Sequence, residues 1–229
     1  MGLLSKNNVG GDEDLAKDFH FPTSKKALII FTRNPELGKV KTRLATSIGD
    51  ESALKIYKFL LKHTAEITTQ VQADKFVFYS EDIHKEDNWD NNTFNKKIQR
   101  GDDLGIRMYN AFTEVFSLGY EQAIIIGSDM YDLNTEDLDN AFTVLKDHDY
   151  VIGPAKDGGY YLLGMKQPNQ AIFSKKDWGK DSVLQATLED LKDEKLKTLE
   201  ERNDVDYYSD IRDNEAFQEF LPDYLDTDF

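Results

Sequence analysis

The feature that most constrains the fold is an alternation that begins at Lys26. Lys26-Ala27-Leu28-Ile29-Ile30-Phe31-Thr32 is a short apolar run, the pattern of a strand buried on both faces of a largely parallel sheet. Behind it Ala53, Leu54, Tyr57, Leu60, Leu61 and Ile67 recur at helical spacing, with Asp50 placed to cap them, which predicts a helix over about 51–70. The alternation continues with a strand at 75–79, an Asn/Asp-rich loop around 86–95, a short strand near 97–100 and a helix over 103–117. A strand at 123–126, a helix over 135–147 and a strand at 150–152 follow, and residues 160–163 read as a hairpin partner beyond Gly158-Gly159. Two more helices are expected near 181–192 and 206–219. Such a chain predicts an α/β fold of three layers, α/β/α, around a mainly parallel mixed sheet, with ligands at the carboxyl ends of the strands.

Composition narrows the chemistry. The 229 residues suffice for one large domain, expected over 25–220, between a polar leader at 1–24 and an acidic tail at 221–229. The absence of cysteine excludes disulfides, zinc ribbons, iron–sulfur clusters and thiol catalysis, and fits a cytoplasmic protein. A formal charge of −15 repels polyanions, so neither nucleic acid nor anionic lipid is an expected partner. The leader lacks the basic-then-apolar order of a signal peptide, and Lys6 stands where a myristoylation signal requires Ser or Thr. No stretch reaches the roughly 18–20 apolar residues of a membrane span.

Three polar clusters directly follow predicted strands. In Arg33-Asn34-Pro35-Glu36-Leu37-Gly38-Lys39-Val40-Lys41-Thr42-Arg43, four cations fall within eleven residues of an acidic chain. Guanidinium groups hold phosphate oxygens bidentately, ammonium groups act as point charges, and Gly38 lets the backbone approach an anion, so the loop suits a diphosphate; the alternative is a solvated basic loop. It is not a P-loop, because Arg33 and Val40 stand where that motif needs Gly and Ser/Thr.

The second cluster, Gly127-Ser128-Asp129-Met130-Tyr131-Asp132, offers two carboxylates three residues apart. Facing one cavity, they would suit Mg2+ or Mn2+ bridging to nucleotide phosphates, whereas an Asx turn at Asp129 and a helix cap at Asp132 are the structural alternatives. The third, Gly153-Pro154-Ala155-Lys156-Asp157-Gly158-Gly159-Tyr160-Tyr161, is a hairpin signal in which Asp157 can also bind a metal or accept from a sugar hydroxyl. Gly158, Gly159 and Tyr160 then fall beside the substrate. Gly101 and Asp102, between a strand and a helix, can reach a donor, with capping by Asp102 or Asp103 the alternative. Trp178 and Trp89 offer rings for a base or sugar, or simply for packing. His20, His63, His84 and His148 lie too far apart for a zinc hydrolase, and no Gly-x-Ser-x-Gly elbow accompanies Ser128.

Taken in order, these motifs resemble the DUF2064 glycosyltransferases, of the radical-SAM/selenodomain-associated transferase type. The resemblance spans about 26–192 and rests on Leu28 to Leu44 (family pattern LIVFAKxPxPGxVKTRL), Gln99 to Met108 (QxGxDLGxRM), Gly127 to Leu133 (GSDxPDL) and Gly153 to Gly164 (GPAxDGGYYLLG). It implies a GT-A-like fold of the nucleotide-diphospho-sugar transferase type and a divalent cation at the strand-end carboxylates. Residue by residue, it implies Arg33, Lys39, Lys41 and Arg43 at the phosphates, Asp129 and Asp132 at the metal, and Asp157 beside the transferred group. Tyr131 stands in place of the usual proline, and Asn34 and Glu36 depart from the common basic-loop residues. Asp204-Val205-Asp206 resembles the Asp-x-Asp near the end of many related nucleotidyltransferases, and a helix cap explains it as well.

The expected activity is transfer of a sugar from a nucleotide-diphosphate donor to a small-molecule acceptor. The alternatives are nucleotidyl transfer with release of pyrophosphate, or nucleotide binding without catalysis.

Overall fold

A computed structural model describes residues 22–222 and 225. Most of the leader at 1–24, with His20, and most of the tail at 221–229 lie outside the described residues.

Seven strands form one sheet in the order β3-β2-β1-β4-β6-β5-β7. β1 (Lys26–Thr32) lies between β2 (Asp74–Tyr79) and β4 (Gln122–Ile126) and is parallel to both, with Ile29 opposite Phe76 and Ile125. β3 (Phe94–Ile98) extends this parallel block. β6 (Tyr160–Met165) is antiparallel to β4 and to β5 (Tyr150–Pro154), and β7 (Leu196–Thr198) runs parallel to β5. The sheet is therefore mixed and mainly parallel, as expected.

Side chains alternate across a strand, so an unbroken apolar run must be covered on both faces. Leu28, Ile30, Val77, Ile124 and Ile126 face α2 (Asp50–Thr69) and α4 (Thr135–Asp147). Ala27, Ile29, Phe76, Phe78 and Ile125 face α3 (Leu104–Ser117). Each fully buried Ile or Phe in these layers contributes about 1.5–3 kcal/mol relative to exposure. The Asp103 carboxylate caps α3 by accepting from Ile106 N at 2.8 Å. Asn134 and Asp137 close a reciprocal capping box on α4.

The structure corrects several sequence expectations. A separate helix, α1 (Thr42–Ile48), precedes α2 and is divided from it by Gly49, whose φ of 81° suits a residue without Cβ. The short strand near 97–100 begins earlier, at Phe94. The predicted helix over 181–192 is confined to α5 (Val183–Asp190). The helix expected over 206–219 is replaced by a 3-10 turn at Tyr208–Asp210 and a single turn, α6 (Glu215–Gln218). Asp210 accepts from the backbone amides of Asp206 and Tyr207. This local bonding competes with a continuous helix. β7 leaves no sequence signal, because its three residues are mostly solvent-facing and carry no apolar signature.

Among the described residues, no helix is long and apolar enough to cross a membrane.

Candidate active site

The site begins where β1 ends. Thr32 and Ser128, at the carboxyl ends of neighbouring strands, are buried and joined by a 3.2 Å hydrogen bond from Ser128 Oγ to Thr32 Oγ1. Tyr57 of α2 closes this junction from below, its hydroxyl accepting from Arg33 N at 2.9 Å and lying 3.4 Å from Ser128 Oγ. Burial pushes the Tyr57 phenol above its ordinary value. It therefore remains a neutral hydrogen-bonding group that fixes two loops at once.

Asn34, a departure from the family pattern, has a structural use here. It is 6% exposed, donates from Nδ2 to Asp82 O at 2.8 Å, and accepts at Oδ1 from Ser80 Oγ and Glu81 N. These bonds tie the loop after β1 to the loop after β2.

Lys41 stands at the centre of the site. Its backbone is left-handed, φ 47° and ψ 43°, an uncommon conformation for a side-chain-bearing residue, immediately before α1. Its ammonium donates to Asp129 Oδ2 at 3.0 Å and to Asp206 Oδ1 at 2.9 Å, and its side chain is only 4% exposed. Burial alone would lower the lysine pKa; the carboxylates of Asp129 and Asp206 override it and hold the group well above its ordinary value. Burial would likewise raise Asp129, and Lys41 overrides it to keep that carboxyl below the usual range. Arg43 Nη1 reaches the other oxygen of Asp206 at 3.0 Å.

One carboxylate oxygen from each of Asp129, Asp204 and Asp206 lies within 4.8 Å of the others. Burial and the neighbouring carboxylates of Asp206, Asp129 and Asp157 push Asp204 up to about 6. Lys41 offsets this only in part. Hard oxygen donors at this spacing suit Mg2+ or Mn2+ completed by phosphate oxygens and water, so the residues present fit a divalent cation.

The expected site residues divide into two groups. Arg33, Lys41, Arg43, Asp129 and Asp157 line one cavity of about 520 Å3, together with Gly159, Tyr160 and Trp178. Asp204 and Asp206, offered by the sequence only as an Asp-x-Asp likeness, line it too.

The others lie elsewhere. Asp132, expected to face the same cavity as Asp129, is turned to Arg202, which lies 3.8 Å from its carboxylate and also donates to its backbone carbonyl. It does not cap α4 either, since Asn134 does. Lys39, expected at the phosphates, is paired with Glu36 at 2.6 Å and is exposed. Gly38 does not line the cavity, and its φ of 73° serves the turn that leads into Lys41.

Gly101, expected near the donor, instead makes room for α3: a Cβ there would stand 2.6 Å from the Ile106 side chain. Asp102 is exposed and off the cavity, and the capping role belongs to Asp103. Gly158, expected beside the substrate, packs on the Asp181 backbone, 2.2 Å from where its Cβ would be. Trp89 is buried against Phe94.

Tyr131, in place of proline, joins an aromatic cluster with Phe59, His63 and Phe217, the nearest ring centroid 4.8 Å away. The loop carrying Asp129 is therefore braced by the C-terminal segment rather than by a fixed proline φ.

Comparison with known proteins agrees with this architecture. Residues 63–180 match the family described as "Uncharacterized protein conserved in bacteria (DUF2064)". A solved structure from Desulfovibrio desulfuricans G20, provisionally described as a nucleotide-diphospho-sugar transferase, is 31% identical, with a TM-score of 0.75 over 81% of this chain and 84% of that one. The 4-diphosphocytidyl-2C-methyl-D-erythritol synthase of Anaerococcus prevotii DSM 20548 shares the fold at 13% identity, with a TM-score of 0.55 over 85% and 96% of the two chains. CMP:2-keto-3-deoxy-manno-octonic acid synthetase, solved with CTP, does so at 12% identity and a TM-score of 0.51, over 82% and 96%. No protein of curated function matches the sequence.

The fold is that of the nucleotide-diphospho-sugar transferases and cytidylyltransferases. The chain belongs to the DUF2064 family.

Proposed function

We propose that the protein is a divalent-cation-dependent glycosyltransferase that takes a sugar from a nucleotide-diphosphate donor. The observation that carries the reading is the convergence of Lys41 and Arg43 with Asp129, Asp204 and Asp206 in one cavity at the carboxyl end of the sheet. Asp129, Asp204 and Asp206 would hold Mg2+ or Mn2+, which supplies charge stabilisation for the departing diphosphate. Arg33 and Arg43, both exposed at the cavity, bind phosphate oxygens. Lys41 keeps Asp129 and Asp206 ionised and oriented. Asp157, which lines the same cavity, is the group we assign to accept a proton from the incoming acceptor.

The kinship with the Desulfovibrio protein supports a nucleotide-sugar donor. A single domain over 25–220 and a cytoplasmic location complete the reading. Incubation with nucleotide sugars and Mn2+ is expected to release nucleoside diphosphate, and Asp129→Ala to abolish that release. Full turnover by this variant would refute the reading.

One observation favours a second reading, nucleotidyl transfer. The acids that meet Asp129 are Asp204 and Asp206, the Asp-x-Asp that resembles related nucleotidyltransferases, rather than Asp132. Release of pyrophosphate from a nucleoside triphosphate, with no diphosphate from nucleotide sugars, would select it.

A further inference from the structure

The loop over 203–207 carries Asp204 and Asp206 without any helix or strand to shape it. Val205, between the two acids, is 4% exposed and packs in a cluster with Leu44 and Ile48 of α1, Ile56 and Leu60 of α2, and Ile211 and Phe217. Apolar packing is non-directional, so it fixes where Val205 lies and leaves open which way the flanking amides and carboxylates point.

Much of that direction comes from one side chain. The Asp210 carboxylate accepts through Oδ2 from Asp206 N at 3.0 Å and from Tyr207 N at 2.6 Å. Through Oδ1 it accepts from Asn203 Nδ2 at 2.9 Å. Both oxygens are engaged, and their three donors enclose Asp204 to Asp206 from either end. A carboxylate makes stronger bonds to N–H donors than a neutral acceptor does. Asp210 is itself well seated: it closes the 3-10 turn Tyr208–Asp210 and precedes Ile211, which is fully buried. It does not line the cavity, so its influence on the site passes through the loop.

We infer that Asp210 is a positioning residue for the cation. By gathering donors of Asn203, Asp206 and Tyr207 onto one carboxylate, it holds the loop in the form that brings Asp204 and Asp206 within reach of Asp129. The inference rests on the cation-dependent reading above and adds to it the group that shapes two of the three ligands before a metal binds. Without Asp210 the cation must order the loop itself, and affinity is lost to that ordering.

The test compares the wild type with Asp210→Ala, Asp210→Asn and Asn203→Ala in two measurements. One is a Mn2+ titration followed by electron paramagnetic resonance; the other is amide hydrogen exchange of the metal-free protein followed by nuclear magnetic resonance. Asp210→Ala removes all three bonds and is expected to weaken Mn2+ about 10–100-fold. Exchange at Asp206 and Tyr207 should quicken while β1 and β4 keep their protection. Asp210→Asn removes the same charge but keeps an oxygen for the two amides, and Asn203 can turn its carboxamide over to meet the new NH2 group. It should recover most of the affinity that Asp210→Ala loses, and Asn203→Ala, which leaves the two amide bonds in place, should fall between.

Wild-type Mn2+ affinity in Asp210→Ala would overturn the inference, as would unchanged exchange at Asp206 and Tyr207. Equal losses in Asp210→Ala and Asp210→Asn would also overturn it, because the effect would then be one of charge. Where Asp210→Ala loses protection across the whole sheet, Asn203→Ala decides instead, and wild-type affinity there would overturn the inference. Failure of the transferase reading looks different: nucleotide sugars are not turned over while Mn2+ still binds and still depends on Asp210. Absence of Mn2+ binding by the wild type would overturn both.

Discussion

The carboxylates of the site are held in two different ways. Asp129 follows β4, a strand paired on both sides in the middle of the sheet, and its loop is anchored by the buried Ser128–Thr32–Tyr57 junction. Asp204 and Asp206 sit on an irregular segment beyond the edge strand β7. That segment is held by Leu199 N to Ile152 O at 2.8 Å, Arg202 N to Pro154 O at 3.0 Å and Val205 N to Asp129 O at 3.4 Å. Its main side-chain anchor is Arg202, which pairs with Asp137 at 2.8 Å, reaches Asp132 and lies over the Tyr161 ring. The Arg202 Nε–H is buried without a partner among the described residues. Half of the site is thus fixed by the sheet and half by a few tertiary contacts, with Lys41 bridging the halves. The edge-held half is the one that perturbation should release first.

Lys41→Met removes that bridge and is expected to have the largest effect. Asp129 loses its ion-pair partner and Asp206 keeps only Arg43, which costs about 2–4 kcal/mol, below the figure for a fully buried pair because Asp129 keeps 40% of its side-chain exposure. Chemical denaturation measures the stability loss, and turnover should fall with it. Arg202→Met is next, at about 2–3 kcal/mol. Hydrogen exchange should show amide protection lost over 199–206 while β1 and β4 stay protected; uniform loss across the sheet would erase the distinction between the halves. Tyr57→Phe tests the sheet-held half and is expected to cost about 1 kcal/mol, with weaker donor binding, because the Arg33 amide loses its acceptor.

A pH series sharpens the same contrast. Asp204 has a folded pKa of about 6, above the ordinary 3.8. Its proton is held more tightly in the folded state, so the stability it contributes is present below pH 4 and is lost as the pH rises through 6. Asp129 is shifted down, so its contribution is present above pH 4 and lost in stronger acid. Without metal, the melting temperature of the wild type relative to Asp204→Asn should therefore fall between pH 4 and 6. Divalent-cation binding should weaken below pH 6, since the cation must displace that proton. Asp132→Asn should change stability by less than about 0.5 kcal/mol, because its carboxylate is exposed and only loosely paired.

The same division explains what the sequence made legible. Lys41, Arg43 and Asp129 could be found because each lies just beyond a strand whose apolar run announces it, and strand ends locate ligands in this class of fold. Helix α1 was hidden because its approach, Lys39 to Arg43, reads as a basic loop and Gly49 cuts it off from α2. β7 and the 199–206 segment carry no periodic pattern, so their place is set by pairing with β5 and by Arg202 rather than by local preference. Asp204 and Asp206 were visible only as a motif likeness. Asp132 was misplaced because a three-residue spacing in an irregular loop does not define a common face, and the guanidinium that claims it lies 70 residues away.

The central claim is that the cation site joins Asp129 to Asp206, across the two differently held halves. Its most direct test is a Mn2+ titration of the wild type, Asp206→Asn and Asp132→Asn, followed by electron paramagnetic resonance. The account predicts that Asp132→Asn binds like the wild type and that Asp206→Asn loses affinity by at least about tenfold. Loss of binding in Asp132→Asn with retention in Asp206→Asn would contradict it.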